Sequence, residues 1–128
     1  MRIDGLQYCN WSPEIFQQMA EGRVDCVHVT IAYHENFREM VAVIESWNRF
    51  FEHFSDRVVQ AFTAADVCQA KTEGKTAIIF GFQNPSPIED DIGLVEIVHR
   101  LGVRFMQLSY NNQSLLATGC YETTDPGI

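Results

Sequence analysis

The chain has 128 residues, 46% of them hydrophobic, and a formal net charge of -8, which fits one globular unit with a single core. So acidic a balance excludes the basic face that nucleic-acid phosphates require. Met1-Arg2-Ile3-Asp4 runs directly into a strand-like segment, without the roughly 7 to 15 apolar residues of a signal peptide or the roughly 20 of a membrane span, so no membrane partner and a cytoplasmic location are expected.

Residues 3–8 read as the first strand. Ser12-Pro13-Glu14 then opens a helix, with a hydroxyl to cap free amides, proline at the first helical position and an acid in the electropositive first turn. Ile15, Phe16, Met19 and Ala20 share one face of it, and Gly22 ends it. Residues 24–31 predict a strand that carries Cys26, His28 and Thr30 on one face and Val27, Val29 and Ile31 on the other, because strand side chains alternate.

From Phe37 the apolar residues Met40, Val41, Ile44, Trp47 and Phe51 keep a 3.6-residue period through about four turns, which predicts a helix with Trp47 and Phe51 buried against the sheet. Residues 58–62 form a short extended segment. Thr63-Ala64-Ala65-Asp66 is a capping box before a small helix that ends near Gly74. Residues 77–82 predict a buried strand, and Leu94, Val95, Val98 and Leu101 an amphipathic helix closed by Gly102 in the left-handed conformation. Residues 103–108 supply a further strand, and beyond Tyr110 the chain to Ile128 reads as a long loop without period. Strands alternating with helices indicate an α/β fold with a parallel sheet.

Three of the strand-like runs end in amides, hydroxyls or phenols, and the carboxyl ends of parallel strands are where such groups converge. Tyr8, Gln83, Tyr110, Asn111 and Asn112 are therefore expected to form a neutral, hydrogen-bonding pocket for a small molecule, with loop packing as the competing use of the two asparagines. His28 belongs to the inward row beside Thr30, either as a wall of that pocket or as an interior imidazole satisfied by a hydrogen bond. His34 follows the same strand toward the rim, while His53 and His99 lie on helix surfaces.

Glu89-Asp90-Asp91 stands at a helix start and reads as a complement to the helix dipole. Arg104 is expected in the strand as a buried or rim cation seeking a carboxylate, not as a catalytic group. Cys9, Cys26, Cys68 and Cys120 form no Cys-x-x-Cys pair and read as reduced thiols. No glycine-rich phosphate loop or Ser-His-Asp order is present, and no catalytic residue is assigned.

Asp4-Gly5 and the run Leu101-Gly102-Val103-Arg104-Phe105 resemble segments of the amino-terminal half of the membrane dipeptidase family, zinc-dependent peptidases on an amidohydrolase-like barrel. That family opens with Asp-Gly-His-x-Asp, whose histidine and second aspartate bind zinc; here Leu6 and Tyr8 stand at those positions. Its third strand ends in a glycine-rich turn with a zinc-bridging glutamate, matched by Gly81-Phe82-Gln83, and its substrate-binding histidine is matched by Tyr110. The resemblance implies that residues 1–128 are the amino-terminal half of a (β/α)8 barrel, parallel strands with outer helices, continuing beyond residue 128.

It also implies hydrolysis of a dipeptide-like or small amide substrate. Zinc chemistry needs anionic or imidazole ligands, so no metal is expected on Leu6, Tyr8 or Gln83 and no cofactor is predicted from these residues. Three readings stand: a divergent dipeptidase with a remodelled site, a non-catalytic protein that binds a small amide, and a structural fragment inactive alone. A half barrel exposes sheet edges and its interior, so a second copy or the rest of the barrel is expected as partner.

Overall fold

The computed structural model describes residues 1–125 and 127. Pro126 and Ile128, in the predicted terminal loop, lie outside the described residues. Five parallel strands, β1 (Ile3–Gln7), β2 (Cys26–Ala32), β3 (Val58–Gln60), β4 (Thr76–Phe82) and β5 (Val103–Met106), form one sheet. The helices are α1 (Pro13–Glu21), α2 (Phe37–His53), α3 (Ala64–Thr72) and α4 (Leu94–Arg100), with a single 3-10 turn at Ser86–Ile88. The path runs β1-β2-β4-β3, and β5 also pairs with β4. β2 occupies one edge of β4 along its length; β3 lies beside Thr76 to Ile78 and β5 beside Phe80 to Phe82 on the other.

Local chemistry accounts for the helix starts. Ser12 accepts the Ile15 amide, and Thr63 with Asp66 makes the expected capping box. Asn36 and Glu39 make a second one at the start of α2. Gly102 closes the last helix–strand turn at φ +106°, a conformation that side chains with a Cβ avoid.

The alternation along β2 and β4 sorts the core. Val27, Val29, Ile31, Ile78, Phe80 and Phe82 are buried in one cluster with Phe16, Met19, Met40 and Trp47 from α1 and α2, each large side chain contributing on the order of 1.5 to 3 kcal/mol by burial. Phe51 packs against this cluster but is only half-buried, because it stands at the margin of the face that Trp47 centres. Val41 is exposed for the same reason, and Ala20 of α1 and Leu101 at the end of α4 are exposed as well.

On the opposite face, Cys26 and Ala77 pack with Val67 and Ala70 of α3, so α3 covers the amino-terminal end of the row that continues to His28. Further along that face Phe105 is 50% exposed and Leu6 47%. The four cysteines are free thiols. No helix among the described residues is long and apolar enough to cross a membrane.

Candidate functional site

Three strands meet over one glycine. Gly81 of β4 is in register with Thr30 of β2 and with Phe105 of β5, and His28 stacks on Phe105 with ring centroids 4.6 Å apart. His28 Nδ1 lies 2.7 Å from the Gly5 carbonyl. That oxygen can only accept, so Nδ1 carries the proton and Nε2 is the unprotonated nitrogen. Nε2 is buried without a hydrogen-bond partner. Burial lowers the pKa of His28 against the opposing pull of the Gly5 carbonyl and Asp4. Asp4 itself is used locally, its carboxylate accepting the Leu6 amide at 3.1 Å.

One layer closer to the carboxyl ends, the Gln83 amide donates to Thr30 Oγ1 at 2.9 Å. Above this pair the rim is aromatic. Tyr33, just beyond β2, packs edge-on against Tyr110 at 4.6 Å and against His34 at 4.1 Å, with Tyr8 at 6.2 Å. Hydrogen bonding to Tyr110, then burial, then the neighbouring phenols push the Tyr33 pKa up to about 12, so it stays a neutral phenol. Glu35 holds this turn: burial works to raise its pKa, but the backbone amides of Tyr33, Glu35 and His34 outweigh it, and the pKa ends lowered.

Beside this cluster lies a cleft of about 870 Å³ whose walls include His34, Ser86, Glu89, Asp90, Tyr110 and Tyr121. One wall is the loop after β5, folded around Ser114: its hydroxyl donates to the Leu108 carbonyl and accepts the amides of Leu116 and Ala117. Tyr121 then returns its amide to the Asn111 carbonyl at 2.8 Å. The opposite wall is the turn after β4. There Glu89, at φ 54°, accepts the first amide of α2, Phe37, at 3.2 Å.

The structure thus brings Tyr110, Asn111 and Asn112 together on the cleft wall. Gln83 lies behind it on Thr30, Tyr8 is exposed beside Tyr33, and His28 lies deeper on the sheet face. Two charged groups differ from expectation. Glu89 serves α2, while Asp91 bonds the Gly93 amide, so the acidic run is not simply a complement to α4. Arg104 finds the carbonyls of Phe62, His99 and Val103 in place of a carboxylate, with Phe62 under its guanidinium. Sequence reasoning missed Tyr33, whose one available signal was its place at the end of an inward-facing strand beside His34.

Zinc does not fit Leu6, Tyr8 and Gln83 as a donor set. Leu6 has no donor atom, and the Gln83 amide is engaged with Thr30; two dications need anionic or imidazole partners. Among the described residues, no group of three or more His, Cys, Asp or Glu stands together in a metal-binding arrangement.

Residues 13–127 match the family model described as membrane dipeptidase (peptidase family M19). The chain is 31% identical over 91 residues to the dipeptidase tcpJ of Claviceps purpurea (strain 20.1), covering 71% of this chain and 20% of that protein. It superposes on a crystal structure of an amidohydrolase from Pseudomonas aeruginosa with a TM-score of 0.96 at 40% identity, covering 100% of this chain and 39% of that one. The metallopeptidase dipeptidase AC aligns with a TM-score of 0.76 at 16% identity, over 86% of this chain and 43% of that one, a likeness of fold. The α/β sheet described above matches part of a barrel of parallel strands with outer helices. The chain spans about a fifth of that curated relative and about two fifths of the solved chains.

Proposed function

Because the chain belongs to the membrane dipeptidase family, peptidase family M19, we propose that the whole protein acts on a dipeptide-like or small amide ligand bound at the carboxyl-end rim. The observation that carries this reading is the cleft wall of Tyr110, Asn111 and Asn112, since a phenol and two amides offer both donors and acceptors to a peptide group. Tyr33, outside the cleft lining, packs edge-on against Tyr110. The site on this reading is a remodelled one, with Leu6, Tyr8 and Gln83 at the family's zinc positions. The exposed apolar face around Leu6 and Phe105 is covered, on this reading, by further barrel strands or a second copy, and the protein works in the cytoplasm.

The test is hydrolysis of a dipeptide panel by the full-length protein, followed by amino-acid release, with the metal content of the same sample measured. Turnover lost on Tyr110→Phe supports the reading. Turnover or binding indifferent to Tyr110→Phe and Asn111→Ala removes the rim from it. Leu6, a side chain with no donor atom at a family zinc position, favours a second reading: a protein that binds the amide without cleaving it. Saturable binding without release of amino acids distinguishes that case.

A further inference from the structure

The charges of this acidic chain are separated along the strands. Arg2, Arg23, Lys71 and Lys75 line a smaller cleft of about 440 Å³ at the amino-terminal end of the sheet, where Asp25 is bonded to Lys71 at 2.9 Å. Those four are nearly half of the nine lysines and arginines of the sequence. The rim cleft has the opposite character: Glu89 and Asp90 stand in its wall, and neither lysine nor arginine does. Phenol rings of Tyr110 and Tyr121 share that wall, with Tyr33 behind Tyr110. Ser86 Oγ, in the same wall, is buried and has no hydrogen-bond partner.

Carboxylates attract a cation, and the electron-rich faces of phenol rings attract one again, more so in a concave site that excludes part of the solvent. An anionic group entering the same cleft meets two like charges and no counter-charge. We propose that the cleft holds the cationic side chain of its amide ligand, a lysine-like ammonium or arginine-like guanidinium, between the carboxylates of Glu89 and Asp90 and the rings of Tyr110 and Tyr121. The adjoining Asn111 and Asn112 amides in the same wall are left to receive the ligand's amide. This rests on the reading of the rim as an amide-binding site and adds the class of ligand.

Three probes on one backbone separate the two claims: the N-acetyl methylamides of lysine, norleucine and glutamate, titrated calorimetrically into the full-length protein. The lysine probe is expected to bind about tenfold more tightly than norleucine, and glutamate more weakly than either. That preference is expected to collapse in Asp90→Asn and in Glu89→Gln. Asp90 makes no hydrogen bond or ion pair among the described residues, so Asp90→Asn decides the matter if Glu89→Gln, which weakens a helix cap, fails to fold. Equal binding of lysine and norleucine overturns the cation site and leaves the amide site standing. A lysine preference that survives Asp90→Asn also overturns it. Absence of binding by all three overturns both.

Discussion

His28 and Phe105 stack face to face at 4.6 Å although their strands are not neighbours; β4 runs between them, and its residue there is Gly81. Two strand spacings separate the backbones by roughly 9.5 Å, so the rings meet only because position 81 has no side chain. A Cβ on Gly81 would lie 1.8 Å from His28 Nε2. Gly81→Ala is therefore expected to expel the imidazole and destabilise the fold by about 1 to 3 kcal/mol. In the double variant His28→Ala, Gly81→Ala, the loss should be smaller than the sum of the single losses by at least about 0.5 kcal/mol. Additive losses in urea titrations would show that the two sites do not compete for this space.

The same contact predicts a pH dependence. The pKa of His28 is lowered in the folded protein, burial being the main cause, whereas an unfolded histidine titrates near about 6.5. As pH falls through about 6.5 the unfolded chain takes up its proton first, so stability is present above that value and is lost as pH falls toward the lower, folded value. His28→Gln should flatten this slope between roughly pH 7 and 5, measured as the urea midpoint across that range. An unchanged slope would mean that His28 charges as readily folded as unfolded.

Trp47 is 2% exposed and sits amid Trp11 at 5.0 Å, Phe50 at 5.4 Å, Phe51 at 5.6 Å and Phe80 at 5.9 Å. Trp47→Ala is expected to cost about 3 to 5 kcal/mol, since these rings cannot close over the void. Phe51→Ala should cost less, its ring being half-buried. Denaturant titration of the two variants gives the comparison; equal losses would contradict the burial order.

How much of this was legible follows from the range of the interactions. Ser12, Thr63 and Asp66 announce their helices because a cap and the amides it binds lie within three residues, and the alternation in β2 sorts Val27 from His28 without knowledge of any partner strand. Glu89 bonding Phe37 spans 52 residues, and Arg104 reaching Phe62 spans 42; nothing near either residue encodes the destination. The division of one β4 edge between β3 and β5 is equally non-local. Tyr110, Asn111 and Asn112 could be grouped because they are consecutive, whereas Tyr33 joins them only through the parallel order of the sheet. Gly81, a glycine inside an apolar strand, did carry a signal: such a position marks the close approach of something else.

Gly119 tests whether the loop after β5 shapes the cleft independently of the core. It is buried, and a Cβ there would lie 2.3 Å from the Asn111 carbonyl oxygen and 2.3 Å from the Asn112 carbonyl carbon. Both are backbone atoms, which cannot turn aside as a flexible side chain would. Gly119→Ala must therefore push the loop's return segment away, breaking the bond from the Tyr121 amide to the Asn111 carbonyl and displacing Asn111, Asn112 and Tyr121 from the wall. The large buried residues belong to clusters that this loop does not enter, so the main unfolding transition should shift little, by about 1 kcal/mol or less. Hydrogen exchange at Tyr121 should accelerate and binding of a lysine amide should weaken. A Tyr121 amide protected as well in Gly119→Ala as in the parent chain would mean that the loop tolerates the methyl group and that its close packing does not fix the cleft.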